Sequence, residues 1–296
     1  MTSRRSSIAA GVAVLLVLAA IAVPSAQTLQ RGIYTSVLDK DGKPVEGLTP
    51  ADFVVREDNV AREVLRVEPA TAPLQVALLV DNSARSNNNI RDIREAASEF
   101  IKATTGTAMK NEVALITVAE RATILVDYTT DQARLLKGAA IFTQPNSGAY
   151  MLDGILESAR GLKKREAARA VIVAIATNGP ELSNRYHDQV MNAIKDAGAS
   201  LHIVMVGTPP TDVATSEGRE RAYIFSDGTD QTGGRYDNVL AASALGARLK
   251  QVADELTHQY LVTYARPQSL IPPERVKISG KRADLTVRGA PARVSK

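Results

Sequence analysis

Four short apolar runs punctuate the chain at 76–80, 113–118, 171–176 and 201–206. Runs of this length without polar alternation fit strands buried on both faces, as in a parallel sheet. Residues 122–126 alternate more and predict an edge or antiparallel strand beside the second run. Between the runs, apolar residues recur at helical spacing. Ile90, Ile93, Ala97, Phe100 and Ile101 form one stripe, and Leu152, Ile155, Leu156, Ala159 and Leu162 a second. Tyr186, Val190, Ile194 and Ala197 form a third, which Gly198 ends, and Leu245, Leu249, Val252 and Leu256 a fourth. Each stripe reads as the face a helix packs on a sheet. Strands alternating with amphipathic helices predict an α/β fold with a doubly wound, mostly parallel sheet over 71–258.

The flanks read differently. Within 27–70, apolar stretches at 33–38, 53–55 and 64–67 alternate with turn formers. Glu57-Asp58-Asn59 predicts a hairpin joining 53–55 to 64–67. Asp39-Lys40-Asp41-Gly42 resembles the start of a calcium loop, but Lys43 stands where a further oxygen ligand belongs and no glutamate closes it, so it reads as a solvated turn. Residues 259–296 return to β, with strands predicted at 260–264, 275–278 and 283–287. Both flanks are expected to decorate the α/β core together.

In an open α/β sheet, ligands bind beyond the carboxyl ends of the strands. The loops there carry Asp81-Asn82-Ser83-Ala84-Arg85-Ser86, then Ser147-Gly148-Ala149-Tyr150, then Thr177-Asn178-Gly179, and a polar stretch over 208–221. Together with Leu38-Asp39-Lys40-Asp41-Gly42-Lys43-Pro44-Val45, Asp52-Phe53, Gly233-Gly234-Arg235 and Gln259-Tyr260-Leu261-Val262-Thr263-Tyr264, these loops resemble the von Willebrand factor type A domain. The nearer resemblance is to a family of exported bacterial proteins related to it. That resemblance covers nearly all of 32–288 and implies a Rossmann-like core with β-strands from both termini.

It also implies a metal-ion-dependent adhesion site, where magnesium is held by an Asp-x-Ser-x-Ser loop, a threonine and an aspartate, and a partner's acidic group completes the shell. Asp81 and Ser83 match the family ligands. Arg85 stands in place of the second serine, Ala149 in place of the threonine and Asn178 in place of the aspartate, with Ser86 a substitute hydroxyl. A unit cation ~4 Å from a dication is repelled by about 8 kcal/mol at an effective dielectric near 20. The expectation is therefore no bound metal, with magnesium at most weak. Two arrangements stay open for Arg85: pairing with Asp81 in the space of the ion, or lying solvated on the surface. The candidate partner-binding residues are Asp81, Asn82, Ser83, Arg85, Ser86, Gly148, Ala149, Tyr150, Asn178 and Gly179. Asp153 reads as a carboxylate at a helix N-terminus, and Asp227 and Asp230 as turn residues.

The N-terminus changes how the charge is read. Arg4-Arg5, the apolar stretch 8–23 and Pro24-Ser25-Ala26 have the layout of a secretory signal peptide over 1–26. An uncleaved anchor is the alternative. Ser6-Ser7 after the arginine pair argues against twin-arginine export. The full chain has 36 Lys and Arg against 32 Asp and Glu; without the two arginines of this segment, +4 becomes +2. With four Phe, eight Tyr and no Trp, the chain is thin in base-stacking groups, and nucleic acid is not an expected partner. Absence of cysteine excludes thiol catalysis and cysteine-bound metal. Three histidines, His187, His202 and His258, lack ligand spacing, and no phosphate loop, nucleophile elbow or zincin motif occurs.

The reading is a non-enzymatic, exported protein-binding module in the periplasm or outside the cell, without a cofactor. Two alternatives are open: a magnesium-dependent adhesion domain with atypical ligands, and a structural component of an envelope complex acting through its β extension.

Overall fold

The computed structural model describes residues 28–208, 214–268 and 270–292; the signal segment expected over 1–26 lies outside them. In chain order the strands are β1 (Thr28–Leu38), β2 (Phe53–Glu57), β3 (Val60–Arg62), β4 (Val64–Pro69), β5 (Leu74–Val80), β6 (Glu112–Thr117), β7 (Thr123–Thr129), β8 (Arg169–Thr177), β9 (Ser200–Val206), β10 (Arg235–Val239), β11 (Tyr260–Pro267), β12 (Val276–Gly280) and β13 (Thr286–Pro291). The helices are α1 (Ile90–Thr105), α2 (Gln132–Gly138), α3 (Met151–Lys164), α4 (His187–Ala197), α5 (Ser216–Tyr223), α6 (Thr229–Gln231) and α7 (Leu245–Thr257).

Six strands form the central sheet in the order β10-β9-β8-β5-β6-β7, all parallel except β7. All nine residues of β8 are buried, as a strand covered on both faces requires. Successive side chains of β5 leave opposite faces. Val76, Leu78 and Val80 pack with α1, α2 and α7, whereas Ala77 and Leu79 pack with α3 and α4. The predicted α/β, doubly wound, mostly parallel sheet is what forms, and 122–126 corresponds to β7, both antiparallel and at an edge.

The flanking strands make a separate β module of two small sheets, β13-β1-β11-β4 and β12-β2-β3. Ile33, Val37, Phe53, Val55, Tyr260, Val262, Tyr264 and Ile278 fill the space between them. β1 lies between β13 and β11, so both flanks contribute to one sheet. Asp39 forms the solvated turn, its carboxylate accepting from the backbone N–H groups of Asp41 (2.8 Å) and Lys43 (2.9 Å).

The hairpin is corrected. Asp58 and Asn59 take φ of 46° and 68°, a tight two-residue turn that returns the chain at Val60, so β2 pairs with β3. The stretch 64–67 belongs to β4 and pairs with β11 in the other sheet. The strand expected at 283–287 begins at Thr286, because Arg282 and Asp284 pair across a turn (2.8 Å). The polar stretch 208–221 is helical from Ser216. Asp227 lies in a helical turn between α5 and α6, and Asp230 in α6, rather than in loop turns.

Two buried polar centres join module and core. Arg169, 2% exposed, donates from Nη1 to the Ala72 carbonyl (2.8 Å) and from Nη2 to the Leu256 carbonyl (2.7 Å) and Gln259 Oε1 (2.8 Å). Its guanidinium faces the Tyr34 ring at 5.1 Å, and burial pulls its pKa down to about 10. Glu255, 1% exposed, accepts from Arg288 Nη2 (2.8 Å) and Arg235 Nη1 (3.3 Å), tying β13 and β10 to α7. Burial opposes the Glu255 charge, but Arg288, with His202 and Arg235 beside it, outweighs burial and holds the carboxyl below its ordinary range.

Candidate functional site

At the carboxyl ends of β5 and β8 the backbone opens into the loops singled out above. Asp81 follows β5 and is 1% exposed. Its Oδ2 accepts from the Thr177 hydroxyl (2.5 Å) and the Thr177 N–H (3.2 Å), and its Oδ1 from the Ser83 N–H (2.9 Å). Three donors thus hold the carboxylate against the end of β8.

Asn82, 4% exposed, fastens three loops. It donates from Nδ2 to the Phe142 carbonyl (3.0 Å), accepts at Oδ1 from Ala119 N–H (3.1 Å), and its own carbonyl accepts from Gln144 N–H (2.8 Å). Ser86 is buried, and its hydroxyl donates to the Ser83 carbonyl (2.8 Å), closing the short 3-10 turn Ala84–Asn89. Ser86 serves the turn and leaves Ser83 nearer Asp81.

Arg85 lies exposed on that turn, and its side chain makes no ion pair among the described residues. The anticipated pairing of Arg85 with Asp81 does not form, because Asp81 points inward to Thr177 and Ser83 while Arg85 points out. The stem of Arg85 runs close over Gly179: a Cβ built on that glycine would lie 3.1 Å from Arg85 Cβ and 3.3 Å from Cγ.

The middle loop sits alongside. Ala149, 5% exposed, bridges to both Ala119 and Glu181, and its carbonyl accepts from Leu182 N–H (2.9 Å). Gly148 lies against the Leu182 side chain, which would have to shift to admit a Cβ there, and the Tyr150 N–H donates to Val118 O (2.8 Å). Asn178 is exposed and donates from Nδ2 to Thr208 Oγ1 (3.2 Å). All ten sequence-predicted residues therefore share one end of the sheet, and two exposed apolar side chains flank them, Phe142 (74% exposed) and Leu182 (44%).

The structure adds residues that the sequence pattern did not single out. Glu181, 3% exposed, accepts at Oε1 from the N–H groups of Ser183 (3.2 Å) and Leu152 (3.3 Å), while Oε2 has no hydrogen-bond partner among the described residues. Burial pushes its pKa up to about 7. Arg221, 2% exposed, donates from Nη1 to the Gly179 carbonyl and thereby secures the turn after β8 from α5. Asp153, in the first turn of α3, pairs with Arg185 (2.5 Å). Thr177 was visible only as the residue before Asn178; nothing in its spacing announces a hydroxyl aimed at Asp81. Pro180-Glu181 reads as a turn in sequence, and only the return of the chain beneath α3 buries it.

Residues 76–179 match the family model of the von Willebrand factor type A domain. No curated protein matches the chain. Among solved structures, a von Willebrand factor type A protein from Catenulispora acidiphila superposes with a TM-score of 0.50 at 11% identity, over 88% of this chain and 73% of its own. Proximal thread matrix protein 1 from the mussel byssus, with a zinc-occupied MIDAS motif, superposes at 0.51 and 13% identity, over 71% of this chain and 50% of its own. BatB from Bacteroides thetaiotaomicron gives 0.46 at 16%, over 62% of this chain and 98% of its own. At these identities the likeness is one of fold.

Proposed function

Since the chain carries a von Willebrand factor type A domain, a type that generally binds proteins rather than catalysing reactions, we propose that it is an exported protein-binding module whose partner docks on the loops around Arg85 without a metal ion. The observation that carries this reading is the disposition of Asp81 and Arg85. The carboxylate that would anchor a cation is turned inward onto Thr177 and Ser83, and the exposed Arg85 guanidinium, without an ion pair among the described residues, stands beside it instead.

The donor set supports the same conclusion. Magnesium asks for an octahedron of hard oxygens at 2.0–2.1 Å. The family positions here supply one carboxylate and one serine hydroxyl, with Ala149 offering a methyl group and Asn178 an amide already bonded to Thr208. These residues do not fit the ion. The exposed groups left at this end of the sheet, the Arg85 guanidinium with Phe142 and Leu182 on the neighbouring loops, suit a partner carboxylate together with apolar contacts. Export rests on the sequence of residues 1–26; among the described residues no helix is long and apolar enough to cross a membrane.

Calorimetry with magnesium tests the metal-free reading. The chain is expected to show no micromolar binding, whereas the triple variant Arg85→Ser, Ala149→Thr, Asn178→Asp gains it. Micromolar binding to the unmodified chain refutes the reading. For the partner, pull-down from a bacterial envelope fraction is expected to retain a protein in the presence of chelator and to lose it with Arg85→Glu. Retention that needs the divalent ion, or that survives Arg85→Glu but not disruption of 274–288, assigns docking elsewhere.

A further inference from the structure

Away from these loops, a cavity of about 720 Å³ opens where the β module meets the C-terminal end of α4. That volume falls within the range of small-molecule sites. One side is apolar: Pro272, Pro273, Val276, Pro291 and Ala292 line it. The polar side is the informative part, because three of its seven charged side chains already have close partners and three of the other four are cations.

Glu57, 2% exposed, is satisfied three times over. It accepts from Arg62 Nε (2.9 Å) and from the Tyr264 hydroxyl (2.9 Å), and Arg266 Nε lies 3.1 Å from its Oε1. Arg266 is also engaged by the carbonyls of Leu270 (3.1 Å) and Ile271, which fixes the loop forming the cavity's rim. Asp196 pairs with Lys163 at 2.7 Å. What remains on the lining is Arg31 and Lys195, which make no ion pair among the described residues, and Arg275, whose one ionic neighbour among them is exposed Asp230 at 3.8 Å. Against these three cations stands one uncommitted carboxylate, Glu274. Arg31 is half-buried on β1, so its charge faces the cavity with less water around it than an exposed arginine has.

We propose that this cavity binds a small organic anion: a carboxylate held by Arg31 and Arg275, with an apolar body resting on the proline wall. Its position gives the ligand contacts with both halves of the molecule, since Arg31, Pro291 and Val276 belong to the β module while Lys195, Ala199 and Thr232 belong to the α/β core. It is separate from the Arg85 loops and does not depend on the docking reading.

Isothermal titration of the full chain with decanoate tests the proposal, with decanol, decylammonium and inorganic phosphate as matched arms. Decanoate is expected to saturate a single site. Decanol lacks the charge and phosphate lacks the apolar body, so each is expected to bind at least about tenfold more weakly, that being the low end for one charged hydrogen bond. Decylammonium is expected not to bind. Arg31→Ala and Arg275→Ala each weaken decanoate by about tenfold, Arg31→Lys restores most of the loss, and Lys102→Ala on α1 changes nothing. Thermal unfolding of each variant establishes that it is folded. The proposal is overturned if decanoate does not saturate in the millimolar range, if the four probes bind alike, or if the folded Arg31 and Arg275 variants bind as the parent does.

Discussion

His202 lies within β9 and is fully buried; its Nε2 reaches Ser200 Oγ at 3.3 Å and its Nδ1 has no hydrogen-bond partner among the described residues. Burial is the main reason its pKa falls from 6.5 to about 4; Glu255 pulls the other way, and Arg288 and Arg235 add to the fall. In the unfolded chain the ring takes up a proton near pH 6.5, while the folded ring stays neutral until about pH 4. Between those values the unfolded state binds more protons, so stability rises with pH by up to about 1.4 kcal/mol per unit. Integrated from pH 5 to pH 7, the gain is about 2 kcal/mol.

Glu181 has the opposite sign. Its pKa is raised to about 7 in the fold, so the folded state holds a proton that the unfolded state releases near 4.5, and stability falls by about 2 kcal/mol from pH 5 to pH 7. The two slopes nearly cancel, and the parent chain is expected to change little over this window on their account. His202→Gln removes only the rising slope, so the variant is expected to lose about 2 kcal/mol between pH 5 and pH 7 relative to the parent. Glu181→Gln is expected to gain a similar amount. Urea unfolding followed by far-UV circular dichroism at half-unit pH intervals gives both differences. If His202→Gln and the parent run parallel across pH 5–7, the ring is not held neutral by the core and the account of β9 is refuted.

Further outcomes follow from the same structure. Glu255→Ala leaves Arg235 and Arg288 facing each other without their shared carboxylate and is expected to cost about 3–5 kcal/mol in urea unfolding. Gly234→Ala places a Cβ into the backbone of Leu201, so the strand pair β9–β10 must separate; loss of more than about 2 kcal/mol is expected, in the upper part of the range for single substitutions, read as a lowered unfolding midpoint. Phe100→Ala, in the fully buried face of α1, is expected to cost about 3–5 kcal/mol, which calibrates the other two on one denaturant scale.

The central architecture was legible because burial on both faces writes itself into sequence as uninterrupted apolar runs, and β5, β6, β8 and β9 are such strands. β10 escaped notice for the complementary reason. Its sequence Arg-Tyr-Asp-Asn-Val is polar because it closes the sheet at an edge, where Arg235 forms ion pairs with Asp237 and the buried Glu255 instead of adding to an apolar run. The helix α2 is seven residues long and buries only Leu135, too little for a stripe to show. At the site, residue types were legible and orientations were not. The residue types at 85, 149 and 178 are read directly from the loops, but whether Arg85 turns toward Asp81 is decided by Thr177, a hydroxyl nearly a hundred residues away in sequence. Glu181 shows the same limit, being buried by a chain reversal that no local pattern records.

The placement of β1 between β13 and β11 bears on how the molecule assembles. Thr35 pairs with Gly289 and Gln30 with Ala265, whereas the sheet of the α/β core is complete within Leu74–Val239. A chain delivered amino end first therefore has every strand of the core available before the final strand of the module has emerged. Until then β1 waits with the edge that β13 covers open, the condition under which strands join the wrong neighbour. Truncation before Thr286 is accordingly expected to leave a folded core bearing an unclosed β1 edge rather than a smaller version of the whole.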